Sequence, residues 1–286
     1  MHSFVLYNDR IIGAGDKVLS PGQVGLLAGW GVFTTLRIYE GVPFEFERHW
    51  ARMSKDAKLL RVPFTQDREA TRRLLVELVR ANQAENAAAR LCVVRNQGGI
   101  WQGPGISSAA DLIALTSDLK PWGPSMRLTV APQARHAAST FAGAKILSWA
   151  NNLTLVEDAQ SRGFDEVILL NERDEVSECT SCNIFAVKDG QAFTPPLSSG
   201  CLPGITRLVL LEEIGEAGER VLRLDDLLGA DEVFVTSTTR ELLPISEIDG
   251  RPLPLGGPVR ARLQQAFSDY VRRYVGWVAG AGARHQ

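Results

Sequence analysis

β-branched and aromatic residues crowd two early stretches of the chain, "SFVLYNDRII" and "GVFTTLRIYEGVPFEF", which predicts strands broken by turns at Asn8-Asp9 and Glu40-Gly41. The apolar spacing then turns helical. In "RHWARMSKDAKLLRV" Trp50, Met53, Ala57 and Leu60 fall on one face, and in "REATRRLLVELVRANQ" Leu74, Leu75, Leu78 and Val79 point inward. "ARLCVVRN" and "DLIALTSD" read as further strands around a glycine-rich loop, "NQGGIWQGPGISSAA".

The proline- and glycine-containing stretch at 119–125 reads as a linker, with a small N-terminal domain over 1–118 and a larger C-terminal domain over 126–286. Past it, "MRLTVAP", "DEVILLNE", "VSECTSCNIFAVKDG", "QAFTPP" and "DEVFVTST" predict strands, with "KDG" turning one hairpin. Helices alternate with them: "NLTLVEDAQSRG" closed by Gly163, "ITRLVLLEEIGEAG", and "VRARLQQAFSDYVRRYV", after which "GWVAGAGARHQ" is expected to fray. Strands and helices mixed in both halves predict two domains of α/β (α+β mixed) class.

Composition narrows the function classes. With 286 residues, 45% hydrophobic and 22% charged, a net charge of −2 leaves no basic stripe for nucleic acid. The first residues lack a signal-peptide pattern and no apolar run nears the ~20 residues of a membrane span, so a cytoplasmic protein is expected. Four cysteines do not make a disulfide framework in a chain of this length. Cys179 and Cys182 form a Cys-x-x-Cys pair, but without a second pair or a histidine at metal spacing it reads as coincidental, and no metal site is expected. Among the four histidines only His49 and His136 lie away from the termini, and His49 at a helix start is more often a packing or capping residue.

Other residues carry candidate chemistry. Lys145 is one of six lysines and lies among small and apolar residues in "AGAKILSWANN". Glu178 ends a strand among small polar residues, where it can solvate or pair with a ring nitrogen. Pro203-Gly204 precede a helix start, so the amides of Ile205 and Thr206 and the Thr206 hydroxyl offer an anion site or a plain cap. The hydroxyl run from Thr236 to Thr239, with Ser237 and Thr238 at its centre, is a second place for an anion. A lysine, an acid and a phosphate cradle are the parts a pyridoxal phosphate site requires.

In that order the motifs resemble the class IV aminotransferases, the fold-type IV pyridoxal-phosphate enzymes. The resemblance runs nearly the length of the chain, through "GWGVFTTLRIYEGVPFEFERHWARM", "DEVILLNERDEVSECTSCNIFAVKDGQAFTPP", "LPGITR" and "TSTTRELLPISEIDG". It implies a homodimer of two-domain subunits with the cofactor at the domain interface. It implies Lys145 as the Schiff-base lysine and proton shuttle, Glu178 on the pyridine nitrogen, and Arg52, Ile205, Thr206, Ser237 and Thr238 around the phosphate. Substrate would meet Phe33, Thr239, Trp101 and Arg95, although for Arg95, as for Arg37, a structural ion pair is the commoner use.

The chain also departs from family patterns. Ala150 stands where branched-chain enzymes carry a tyrosine, Phe33-Thr34-Thr35 replaces Phe-Glu-Thr, the loop lacks an Arg-x-His carboxylate trap, and Ala28 takes an aromatic pocket position. The expected reaction is amino transfer between an L-branched-chain or other apolar amino acid and a 2-keto acid. Alternatives are aminodeoxychorismate lyase chemistry, D-amino-acid or (R)-amine transamination, and a non-catalytic cofactor-binding homologue.

Overall fold

A computed structural model describes residues 1–282. The chain divides into two compact units, one of Met1–Lys120 with Lys145–Trp149 and the chain from Arg273 on, the other of Pro121–Ala144 and Ala150–Arg272.

The first unit is built on a six-stranded antiparallel sheet of β1 (Phe4–Tyr7), β2 (Arg10–Gly13), β3 (Gly31–Tyr39), β4 (Val42–Pro43), β5 (Ala87–Arg95) and β6 (Ala110–Ser117), in the order β2-β1-β6-β5-β3-β4. A short helix, α1 (Val24–Ala28), precedes β3 and ends on Gly29 in the left-handed region. Helices α2 (Phe46–Leu59) and α3 (Arg68–Ala81) follow, the second capped by the Asp67 carboxylate accepting from the Ala70 amide. Strand alternation puts Val32, Leu36 and Ile38 of β3 and Ala89, Leu91 and Val93 of β5 on one face, where Met53, Ala57, Leu75 and Leu78 of the helices seal them from water.

The second unit carries a nine-stranded mixed sheet: β7 (Met126–Arg135), β8 (Glu166–Asn171), β9 (Val176–Cys179), β10 (Asn183–Lys188), β11 (Gln191–Thr194), β12 (Ala217–Glu219), β13 (Glu232–Ser237), β14 (Glu241–Ile248) and the short β15 (Arg251–Pro252). The order is β12-β11-β10-β13-β14-β7-β8-β9, with β15 on β14. Around it lie α4 (Ala150–Ser161), α5 (Ile205–Leu208), α6 (Leu224–Leu228) and α7 (Pro258–Gly282). Its core joins Leu128, Ile168, Val176, Ile184, Val235 and Ile245.

Three local readings differ from the sequence expectations. β14 is a strand in a stretch, "TTRELLPISEIDG", for which no element is predicted. Pro244 precedes the first β7 partner, Ile245 opposite Met126, so its missing N–H leaves no β7 acceptor unmatched. The helix expected over "ITRLVLLEEIGEAG" is one α turn at Ile205–Leu208 that widens into a π-helical stretch, Val209–Ile214. At the other end, the helix does not stop near Val275. Tyr274 packs edge-on against Phe44 at 5.2 Å and Val275 is buried, which carries α7 on to Gly282, while 283–286 lie outside the described residues. Cys179 and Cys182 flank a tight turn, with the Cys179 amide donating to the Cys182 carbonyl at 2.8 Å, and both thiols are free and buried. Their mutual hydrogen bond and burial push the Cys179 thiol well up, which suits packing rather than thiolate chemistry.

Met53→Ala is expected to lower unfolding stability by about 2–5 kcal/mol, because it opens a cavity under the six-stranded sheet. Leu59→Ala, on the exposed side of the same helix, should stay within about 0.5 kcal/mol. Urea denaturation followed by circular dichroism separates the two.

Candidate active site

In the first unit the lysine segment forms part of the sheet. The Phe33 amide donates to the Lys145 carbonyl at 3.0 Å and the Leu147 amide to the Gly31 carbonyl at 2.9 Å, so residues 145–147 run antiparallel along the β3 edge beside its free half. Gly31 makes the approach possible, since a Cβ there would lie 2.4 Å from Leu147 Cδ1 and 2.6 Å from the Val93 carbonyl oxygen. The Lys145 amide donates to Asp56 Oδ2 at 3.0 Å. The Lys145 ammonium stands 4.6 Å from the Phe33 ring centroid, and Trp149 meets the same ring edge-on at 6.0 Å.

α2 presents two neighbouring stripes. Phe46, Trp50, Met53 and Ala57 form the apolar one, while Glu45, His49, Arg52 and Asp56, spaced by four, three and four, form a buried polar one. From the polar stripe Arg52 Nη2 donates to Thr34 Oγ1 at 2.9 Å. The Thr34 hydroxyl lies 2.7 Å from His49 Nδ1 and, already an acceptor from Arg52, donates to it. That relay requires a neutral imidazole. Burial first, then the charges of Arg52 and Lys145, hold the His49 pKa well below its ordinary value.

The substrate-side residues separate. Arg95 has its guanidinium engaged: Nε donates to the Gln97 carbonyl at 2.7 Å, Nη1 to the Arg61 carbonyl at 2.8 Å, and the group stacks 3.9 Å from the Trp30 ring centroid. Trp101, in the glycine-rich loop, is 72% exposed. A residue the sequence reading did not select, Arg90, stands across from Thr35 in the β3–β5 ladder with its guanidinium 4.6 Å from the Phe33 ring centroid. One aromatic ring therefore has both the lysine amine and a guanidinium within cation–π distance. Strand alternation, which puts Phe33 and Arg90 on the sheet face opposite the core, was the signal that could have found it.

In the second unit Glu178 is nearly buried, and its two oxygens are differently held. Oε1 accepts from Arg135 Nη2 at 2.9 Å and Oε2 from the Leu202 amide at 3.0 Å. Burial first, then the nearby Glu178 charge, pushes the Cys201 thiol up to about 12, so it stays neutral there.

Glu178 is joined in this unit by the turn before α5. Asn183 donates to the Leu202 carbonyl at 2.9 Å, and a Cβ on Gly204 would fall 2.0 Å from Asn183 Oδ1. This close approach delivers the chain into α5 with Ile205 and Thr206 buried at its first turn, where the amides have no intrahelical acceptor. Arg207, fully buried, donates to the Pro195 carbonyl and pairs with Glu219, fixing the turn to the "TPP" segment.

The hydroxyl run follows β13. Thr236 faces Asn183 across the β10–β13 ladder, and its buried Oγ1 has no hydrogen-bond partner among the described residues. Ser237 Oγ accepts from the Arg240 amide at 3.2 Å. The Thr239 carbonyl accepts from Trp122 Nε1 at 3.1 Å. Arg240 lies 4.1 Å from the Trp122 ring centroid and pairs with the buried Glu166 at 3.3 Å, a carboxylate that also accepts from Thr180 and Ser181. Thr238 thus sits in a turn held on both sides.

His49 gives a pH dependence with a definite sign. Its folded pKa lies below the unfolded value of about 6.5, so its contribution to stability is present above that value and is lost as pH falls through it. Tm should decline between about pH 7.5 and 5.5, and His49→Gln, which cannot take up the proton, should flatten part of that decline in calorimetry. An equally steep decline in the variant contradicts the assignment.

Comparison with known proteins bears on both clusters. A family model described as amino-transferase class IV matches residues 31–248. The branched-chain-amino-acid aminotransferase of Escherichia coli strain K12 is 31% identical over 288 residues, covering 92% of this chain and 91% of its own. The D-alanine aminotransferase of Bacillus licheniformis is 30% identical over 274 residues, covering 93% and 96%. Among solved structures, the branched-chain aminotransferase of the thermophilic archaeon Thermoproteus uzoniensis with norvaline superposes with a TM-score of 0.86 at 26% identity, over 97% of this chain and 98% of that one. The chain belongs to the class IV aminotransferases, a family of pyridoxal-phosphate enzymes.

Proposed function

We propose that this chain transfers the amino group of apolar, branched L-amino acids to a 2-keto acid, with Lys145 as the catalytic amine and pyridoxal phosphate as cofactor. The observation that carries the reading is the Phe33 ring, which has the Lys145 amine and the Arg90 guanidinium each at 4.6 Å. An amine that moves a proton at Cα and a cation for a substrate carboxylate are what amino transfer from an amino acid requires. The branched-chain relatives support the substrate class.

The residues of the second unit fit the cofactor. A buried, oriented carboxylate, a buried Thr236 hydroxyl without a partner among the described residues, and the amides at the start of α5 are what a protonated ring nitrogen and a phosphate call for. When bound, pyridoxal phosphate supplies an electron sink for the negative charge left at the substrate Cα.

The remaining roles belong to this chain. Lys145 takes the Cα proton and returns it to the cofactor's C4′. Glu178 balances the charge on the ring nitrogen, with Arg135 and the Leu202 amide orienting its carboxylate. In the second unit Ile205, Thr206, Ser237 and Thr238 would receive the phosphate. In the first unit Arg90 would receive a substrate carboxylate in place of Arg95, whose Nε and Nη1 donate to carbonyl oxygens, with Phe33 beside it. The exposed apolar residues Leu26, Leu27, Ile100 and Trp101 support a homodimer, and four free cysteines support a cytoplasmic setting.

Half-reactions test this function. Protein loaded with pyridoxal phosphate should lose its visible absorbance on addition of L-leucine, L-isoleucine or L-valine, with a slower response to D-alanine. Faster conversion of D-alanine, or release of pyruvate and 4-aminobenzoate from aminodeoxychorismate, would replace it with one of the other family activities. Lys145→Ala should abolish turnover while the protein still takes up the cofactor. Arg90→Ala should raise KM for the amino acid by about tenfold to a hundredfold, as loss of a charge-assisted contact worth about 1.5–3 kcal/mol predicts.

A further inference from the structure

The buried polar stripe of α2 contains a carboxylate that the proposed roles leave unused. Asp56 is 4% exposed, and its Oδ2 accepts the backbone amide of Lys145 at 3.0 Å. The same lysine residue is fixed on the other side of its peptide, where its carbonyl accepts from Phe33. Lys145 is therefore held by its main chain from two elements, β3 and α2. A carboxylate is a costly group to bury for a single amide hydrogen bond, since a neutral acceptor would serve the amide without the desolvation penalty.

The charge has a use nearby. The cations facing Asp56 are Arg52 and Lys55 on its own helix and Lys145 on the docked segment. His49, also on α2, is neutral, β3 brings Phe33 and Thr34 beside the lysine segment and carries Arg37 further along, and Arg90 of β5 shares the Phe33 ring with the lysine amine. Asp56 therefore places a negative charge among Arg52, Lys55 and Lys145.

We propose that Asp56 is a positioning residue for Lys145, whose carboxylate anchors the lysine main chain to α2 and sets the charge balance in which the lysine amine works. This rests on Lys145 being the catalytic amine. Burial raises the Asp56 carboxyl above its ordinary value, and the Lys145 amide, Arg52, Lys55 and the Lys145 charge offset part of that rise. A negative charge beside Lys145 favours the protonated form of its nitrogen, so removing the charge lowers that nitrogen's pKa.

The test is a pH titration of the visible absorbance of pyridoxal-phosphate-loaded protein, which reports the protonation of the Lys145 nitrogen independently of turnover. Asp56→Asn keeps an acceptor for the amide and removes the charge. Asp56→Ser does the same with a smaller side chain and serves if the first variant fails to fold. Asp56→Ala removes both. We expect the titration midpoint to fall by about one unit in Asp56→Asn, a tenfold change in the proton equilibrium. In Asp56→Ala kcat should fall by about a further tenfold, with KM for the amino donor within about twofold of that of Asp56→Asn.

A folded neutral variant whose midpoint stays within about 0.2 units of wild type overturns the charge role, and equal kcat in the asparagine and alanine variants overturns the anchoring role. A purely structural aspartate would lower Tm and leave the midpoint where it was. If wild-type protein itself develops no visible band and borohydride fixes nothing to Lys145, the catalytic reading of Lys145 fails instead, so the two failures are distinguishable.

Discussion

The antiparallel docking of residues 145–147 on β3 is the interaction on which the arrangement around Lys145 depends. Two backbone hydrogen bonds, Phe33 to Lys145 and Leu147 to Gly31, fix a lysine that would otherwise lie in an irregular stretch. A ladder of this kind restrains the main chain, and the side chain inherits its direction from the pleat. Lys145 thereby meets the ring of Phe33, and Phe33 brings Arg90 and Trp149 into the same group. The ladder has a steric condition, the missing side chain at Gly31, and an electrostatic one, the Asp56 carboxylate on the Lys145 amide.

The second unit follows a different principle, in which the candidate groups lie at strand ends, at the start of α5 and in the turn after β13, and ion pairs hold these segments. Arg135 orients Glu178, Arg240 ties the hydroxyl turn to Glu166, and Arg207 ties the α5 turn to Glu219. Removing one member of the Arg240–Glu166 pair strands the other in a low-dielectric setting, so that pair specifies geometry even where its net contribution to stability is small. Hydroxyls and amides of a turn fixed this way are preorganised for an anion, and little reorganisation is left for the moment of binding. The closeness of Gly204 to Asn183 serves the same end by setting how the chain enters α5.

Much of this was legible along the chain. The apolar spacing of Trp50, Met53 and Ala57, and of Leu75 and Leu78, followed directly from packing on one sheet face, because helical period and burial leave the same imprint. The lysine among small residues, the glutamate at a strand end and the Pro-Gly helix start were visible because their chemistry is unusual for their surroundings. The polar stripe of Glu45, His49, Arg52 and Asp56 was equally periodic, but only His49 and Arg52 stood out from it along the chain. Nothing local distinguishes a polar stripe facing water from one facing a buried strand. The strand β14 was hidden by Pro244, whose cost vanishes only through where the β7 pairing begins. For Arg95 and Arg90 the case is similar, since both are arginines of one strand. Only the positions of the Gln97 and Arg61 carbonyls and the Phe33 ring show which guanidinium is engaged.

The sequence by itself determined the family and the mixed α/β class and nominated candidate side chains, because periodicity, glycine placement and motif order are properties of neighbours along the chain. The tertiary structure decided which of those side chains share a partner. Lys145 and Asp56 are 89 positions apart, and Arg135 and Glu178 are 43 apart. Contacts at such separations come from how strands pair and helices pack, and a local pattern carries no record of them.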